Sequence, residues 1–303
     1  MTEMESRQQL ESQLQEILKW EKEQKDVMFW EKLGRIPFML LDRLTPKAVQ
    51  EKIGSALNEV GGFIQNGGKH LVREKTVLNV LAQTAGLDVS EAASSSSVKS
   101  DHRKSASEFE DGDEKRTGTE ELTLASAAAL PLHVMDTAAD TLTVKRVKFA
   151  AAQGAATGIG GVFTIAADLP MVLGQSLKVL QEMALCYGYD PNDPRERVFI
   201  VKCLQFSSAD IVGKKAVLEE LARFDEEQAT EQVFSQLQGW REVVLSYTDN
   251  FGMKKLFQLI PIAGIVFGSI SNKATISDVA EAGKMLYKKR RLSCRLRNME
   301  SSL

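Results

Sequence analysis

FAAAQGAATGIGGVFTIAA, residues 149–167, carries no charge and stops abruptly at Asp168-Leu169-Pro170. A shorter echo, LFQLIPIAGIVFGSI, occupies residues 256–270. Each holds a Gly-x-x-x-Gly pair, Gly154/Gly158 and Gly264/Gly268. Small residues at that spacing let helix backbones approach closely, within a protein or in a membrane. Only Phe149, Ile159, Val162, Phe163 and Ile165 are bulky and apolar in the longer stretch. They favour insertion by about 2 kcal/mol, and including Asp168 in a longer span costs about 3 kcal/mol. The stretch is therefore a poor lone span. It reads as one arm and the turn of a close-packed helical hairpin over residues 158–170. Asp168 is expected to cap the second arm, with Pro170 in its first turn.

The second stretch is more apolar. Lys255 and Lys273 bracket it, Pro261 interrupts it, and its helix would span roughly 25 Å against a hydrocarbon core of about 30 Å. Interfacial or re-entrant placement suits it better than crossing. After it comes KMLYKKRRLSCRLR, with Lys284, Lys288, Lys289, Arg290, Arg291, Arg295 and Arg297 and no acid. Such a run beside an apolar helix is attracted to anionic inner-leaflet lipid at about 1 kcal/mol per cation. These seven residues are the candidate lipid contacts. No aromatic platform accompanies them, and the net charge is −3, so nucleic acid is not an expected partner.

Working outward, the remaining chain repeats helical periodicity without β-alternation. Leu10, Leu14, Ile17 and Leu18 open an amphipathic helix across residues 5–33, which Gly34 and Pro37 end. Thr45-Pro46 starts another helix. Residues 90–121 are Ser-rich, mixed in charge and almost free of bulky apolar groups, which reads as a disordered linker or insertion. Asp193-Pro194-Arg195-Glu196 is a strong helix start, and Thr275-x-x-Asp278 a variant of one. With 43% hydrophobic residues there is material for a sizeable core. The expected fold is all-α, a multi-helix bundle with Gly/Ala-rich hairpins. An N-terminal part, residues 1–89, packs with residues 122–303 as one domain around the linker.

Catalytic signatures are mostly absent: no phosphate-binding loop, no nucleophile elbow and no zinc-binding helix motif occurs. His133, Asp136 and Asp140 share one helix face and, with Asp168, form the alternative reading, an enzyme with a carboxylate or metal site. No cofactor is expected. Cys186, Cys203 and Cys294 show no pairing pattern, in keeping with a reducing compartment. The charged N-terminus has no apolar core of a secretory signal, so a cytoplasmic location is expected, peripheral to the inner membrane face.

Several segments together resemble the EcsC protein family of bacteria. They are Trp30-Glu31-Lys32-Leu33-Gly34-Arg35-Ile36-Pro37-Phe38, the small-residue run through Gly161, Ala167-Asp168-Leu169-Pro170, and Tyr187-Gly188-Tyr189-Asp190-Pro191 followed by residues 193–199. The resemblance covers most of the chain outside residues 90–121. It implies a mostly helical cytosolic or membrane-associated protein acting near a transporter, and it carries over no catalytic residue. The expected role is therefore non-catalytic: peripheral association with the inner face of the cytoplasmic membrane or with a membrane transporter complex. A soluble protein-binding scaffold is the third reading.

Overall fold

The computed structural model describes residues 4–25, 61–63, 72–87, 122–157, 162–209, 211–225 and 272–302. Every regular element among these residues is a helix, and no strand occurs among them. In chain order they are α1 (Arg7–Lys25), α2 (Glu74–Thr84), α3 (Leu124–Ala128), α4 (Leu132–Thr157), α5 (Val162–Cys186), α6 (Pro194–Ser208), α7 (Ile211–Ala222) and α8 (Asn272–Ser301). The all-α expectation holds. The linker at residues 90–121, the Thr45-Pro46 start and the apolar stretch 256–270 lie outside the described residues, as do Gly158, Gly264 and Gly268.

The longest described helix, α8, is the centre of the assembly. It packs against α5, α4, α6 and α1. Ile276, Val279, Ala280, Leu286 and Tyr287 recur at helical spacing and are buried, so α8 presents apolar side chains inward along its length. Gly283 sits where it crosses α5: a Cβ there would lie 2.7 Å from Leu180 Cδ2. Close helix approach thus occurs at a glycine outside both Gly-x-x-x-Gly pairs. The first helix, α1, buries Leu10 and Ile17 against neighbours that include α8 and α7. Helix α2 rests on α4 and α5.

The expected start of the second hairpin arm is corrected. Helix α5 begins at Val162 and runs through Asp168-Leu169-Pro170, so Asp168 lies within it and is not its N-cap. Proline removes one backbone donor and kinks a helix without having to end it. Residues 162–167, immediately upstream of Asp168, are themselves helical. Gly154 lies in the last turn of α4. Helix α8 likewise begins at Asn272, before the Thr275-x-x-Asp278 signal, and Thr275 is buried inside it.

The start of α6 matches its sequence signal. Asp193 is the N-cap, its carboxylate accepts from the Arg195 N–H at 2.8 Å, and Pro194 occupies the first turn. Glu196, three residues on, does not complete a capping box. The Asp193 N–H donates to the Asp190 carbonyl at 3.0 Å, which leaves Glu196 available to the interior. A capping box absent from our expectations joins Thr123 and Ser126 at the head of α3.

Candidate functional site

The cations expected to meet lipid are engaged within the fold. Lys284 Nζ donates to Asp140 at 2.6 Å, Lys288 to Asp136 at 2.7 Å and Lys289 to Glu21 at 2.6 Å. Arg290 holds both oxygens of Glu196, at 2.6 and 2.8 Å, and Asp225 at 2.8 Å. Arg291 donates to the Tyr187 and Gly188 carbonyls, at 2.8 and 3.1 Å. Arg295 reaches Glu5 at 2.8 Å and the Ala128 carbonyl at 3.3 Å. Arg297 is the loosest, 3.7 Å from Asp225 with a side chain 60% exposed. The acids that pair with this tail come from α1 and the residues just before it, from α4, from α6 and from the turn after α7. These pairs pin α8 to its neighbours.

Arg290 has the most elaborate surroundings. Its guanidinium lies 4.4 Å from the Tyr189 ring centre, 4.7 Å from Phe199 and 5.3 Å from Phe224. Phe199 in turn packs against Tyr287 at 4.7 Å. Burial pushes the Glu196 carboxyl above its usual range, while Arg290 opposes that rise. A groove of about 260 Å³ opens beside them, lined by residues including Arg195, Asp225, Cys294 and Arg297. Its three arginines face three carboxylates, Asp193, Glu196 and Asp225, so its formal charge is balanced.

On the face carrying His133, Asp136 and Asp140, both aspartates are engaged by other helices. His133 is exposed. Asp136 accepts from Tyr187 Oη at 2.6 Å as well as from Lys288. Burial and then Asp136 hold the Tyr187 hydroxyl well above its ordinary range, so it stays a donor. Both aspartates therefore anchor lysines of α8. Among the described residues no group of three His, Cys, Asp or Glu side chains could hold a metal. The side chain of Asp168 lies outside them. Cys186 and Cys203 are buried free thiols with ionisation driven upward by burial, consistent with core packing.

A different region remains open. Val144, Phe149 and Met171 are 50%, 58% and 49% exposed. Val144 lies at the middle of α4, Phe149 in its second half and Met171 in the first half of α5. Gln153 contacts both Met171 and Gln175, and Arg146 binds Glu182. Low numbers pair with high, so α4 and α5 run antiparallel there and Phe149 falls level with Lys178. Lys145 and Lys148 are exposed on α4 beside the apolar residues. The sequence singled out Phe149 only as part of the uncharged run. Its exposure depends on which α4 face meets α5, and an Ala-rich helix gives little amphipathic signal. No helix among the described residues is long and apolar enough to cross a membrane.

Residues 11–292 match the EcsC protein family. The chain is 48% identical over 299 residues to Uncharacterized protein YdbA of Bacillus subtilis (strain 168), covering 99% of this chain and 98% of that protein. It is 30% identical over 160 residues to Protein EcsC of the same organism, covering 53% of this chain and 65% of that protein. No solved structure matches. The chain belongs to the EcsC protein family.

Proposed function

We propose that this member of the EcsC protein family is a non-catalytic helical protein that attaches peripherally to the inner face of the cytoplasmic membrane, or to a membrane transporter complex there. The observation that supports this reading is the half-exposure of three large apolar side chains, Val144 and Phe149 on α4 and Met171 on α5, with Lys145 and Lys148 exposed on α4. Burying the exposed parts of three such side chains contributes about 3 kcal/mol, from about 1.5–3 kcal/mol for each fully buried one. Two lysines near an anionic surface add about 2 kcal/mol. A total near 5 kcal/mol is a reversible attachment, weaker than the roughly 8 kcal/mol of a micromolar complex.

The C-terminal helix contributes less to this attachment than its charge suggests. Most of its cations would have to leave carboxylates or carbonyls before meeting lipid, and Arg297 is the best placed of the seven. The exposed apolar side chains need no such rearrangement.

Co-sedimentation with phosphatidylglycerol-containing vesicles tests the reading. Wild-type protein is expected to pellet with anionic vesicles and to be released by salt. The triple variant V144S/F149S/M171S should bind on the order of a hundredfold more weakly, from the loss of about 3 kcal/mol of apolar burial. Wild-type protein that stays in the supernatant at high lipid would remove direct lipid attachment and leave attachment through protein alone.

A further inference from the structure

We infer that the groove between the start of α6, the turn after α7 and the C-terminal part of α8 binds a small zwitterion of the amino-acid class. Four parts of the chain line it. Tyr189 precedes α6, Asp193 and Arg195 stand at its start, Asp225 follows α7, and Arg290, Cys294 and Arg297 lie on successive turns of α8. Its volume of about 260 Å³ falls just below the roughly 300–1,000 Å³ of drug-sized sites, which suits a smaller ligand. The most buried charges in it are matched: Glu196 commits both oxygens to Arg290, at 2.6 and 2.8 Å. The rim is not. Arg297 is 60% exposed and 3.7 Å from Asp225 Oδ2, too far for a hydrogen bond. The Tyr189 hydroxyl makes no hydrogen bond among the described residues, although a buried phenol usually finds a partner. Burial pushes its ionisation up to about 12, so it remains a protonated donor.

Charge and donor chemistry select the ligand class. The three arginines of the groove already face three carboxylates, so a singly charged ligand would leave one charge in excess. A zwitterion leaves none. Inserted between Arg297 and Asp225, it replaces one long ion pair by two close ones. Its carboxylate meets the planar donor fork of Arg297, with the exposed Arg195 on the same lining. Its ammonium meets Oδ2 of Asp225, whose Oδ1 is held by Arg290 at 2.8 Å. The Tyr189 hydroxyl is left for a polar side chain of the ligand. A bound zwitterion ties the last turns of α8 to the turn after α7, where Arg297 holds only loosely. This site does not depend on the membrane reading.

Cys294 supplies the readout. Of the three cysteines, Cys186 and Cys203 are buried, whereas Cys294 is partly exposed and lines the groove. Alkylation of the native full chain by iodoacetamide therefore reads Cys294. The probes are L-alanine and L-glutamine, with propionate and ethylammonium as analogues that each carry one of alanine's two charges. At equal ionic strength the amino acids are expected to slow alkylation in a saturable way, and the analogues are expected to leave it unchanged. Arg297 is exposed and loosely held, so R297Q should fold as the wild type does, which an equal thermal midpoint checks. In R297Q the concentration needed for protection should rise roughly tenfold, the scale of one hydrogen bond to a charged group. R195Q, at the start of α6, should act in the same direction. Each variant is compared with its own rate without probe, so a change in thiol reactivity cancels. No slowing by either amino acid, equal slowing by propionate or ethylammonium, or protection unchanged in R297Q overturns the site.

Discussion

Replacing Arg290 by methionine is expected to destabilise the protein by about 3–5 kcal/mol at neutral pH, the scale found when one partner of a buried ion pair is removed. Arg290 is 13% exposed and Glu196 nearly buried, so the carboxylate left behind cannot recover its hydration. Asp225 is more open and loses little. Methionine keeps most of the apolar contact with Tyr189, Phe199 and Phe224, but forgoes the guanidinium–ring attraction, about 1–2 kcal/mol in a desolvated setting.

The pH dependence has a definite sign. Burial already lifts the Glu196 carboxyl above its ordinary value near 4.5, and Arg290 is the main influence pulling it down. Without Arg290 it rises further. A folded-state value above the unfolded one means the folded protein keeps a proton that the unfolded chain releases. The associated stability is present below the ordinary carboxyl range and is lost as pH rises through the raised value. The deficit of R290M relative to wild type should therefore shrink on acidification toward pH about 4.5. The double variant R290M/E196Q should recover most of the loss at neutral pH, because it removes the orphaned charge. Urea denaturation at neutral and acidic pH measures all three proteins. A deficit below about 1 kcal/mol, or one that widens with acid, would show that solvent reaches Glu196 freely.

This pair also shows what the sequence can convey. Asp193-Pro194 announced a helix start, since capping is local chemistry between residues two apart. Glu196 looked like part of the same cap, and nothing nearby indicated its turn inward. Its partner lies on α8, across a distance in chain that only tertiary packing resolves. The whole basic tail follows this pattern. Its lack of local acids was plain, yet Glu5, Glu21, Asp136, Asp140 and Asp225 complete it from elsewhere. Asp136 and Asp140 stood out as a shared face for the right geometric reason, and the structure uses that face to bind lysines. Asp168 was misread because cap-plus-proline at a helix start and a proline inside a continuing helix share the same local spelling. The all-α class was legible because helical periodicity recurs throughout. The exposure of Phe149 was not, because an Ala-rich helix can turn several faces to a neighbour.

Gly188→Ala is the second large effect, expected to cost about 3–4 kcal/mol from two separable causes. Gly188 ends α5 in a Schellman arrangement: its N–H donates to the Leu185 carbonyl at 3.0 Å and the Tyr189 N–H to Ala184 at 2.9 Å. Its φ of +74° costs an L-residue about 1–2 kcal/mol. A Cβ would also fall 2.5 Å from Ala128 Cα and Cβ and 2.9 Å from Ala128 N. Two of those three are backbone atoms, so no rotamer change relieves the contact, and overpacking of this kind costs about 1–3 kcal/mol. Gly86 supplies the internal control. It ends α2 in the same arrangement at φ +71°, and an added Cβ there meets nothing within 4 Å. Gly86→Ala should therefore show the conformational cost alone, about 1–2 kcal/mol. The difference between the two variants, read from denaturant midpoints at constant slope, isolates the contact between the α5–α6 turn and α3. That contact also positions α8, because Arg291 holds the Tyr187 and Gly188 carbonyls and Arg295 holds that of Ala128. Pushing Gly188 off Ala128 pulls those acceptors apart, so G188A should loosen α8 as well as α5. Hydrogen exchange would then rise along residues of α8 near Arg291 in G188A and stay at wild-type levels in G86A. Equal costs for the two glycine variants, with no added exchange in α8, would mean that the turn yields locally and that α8 is held by its ion pairs alone.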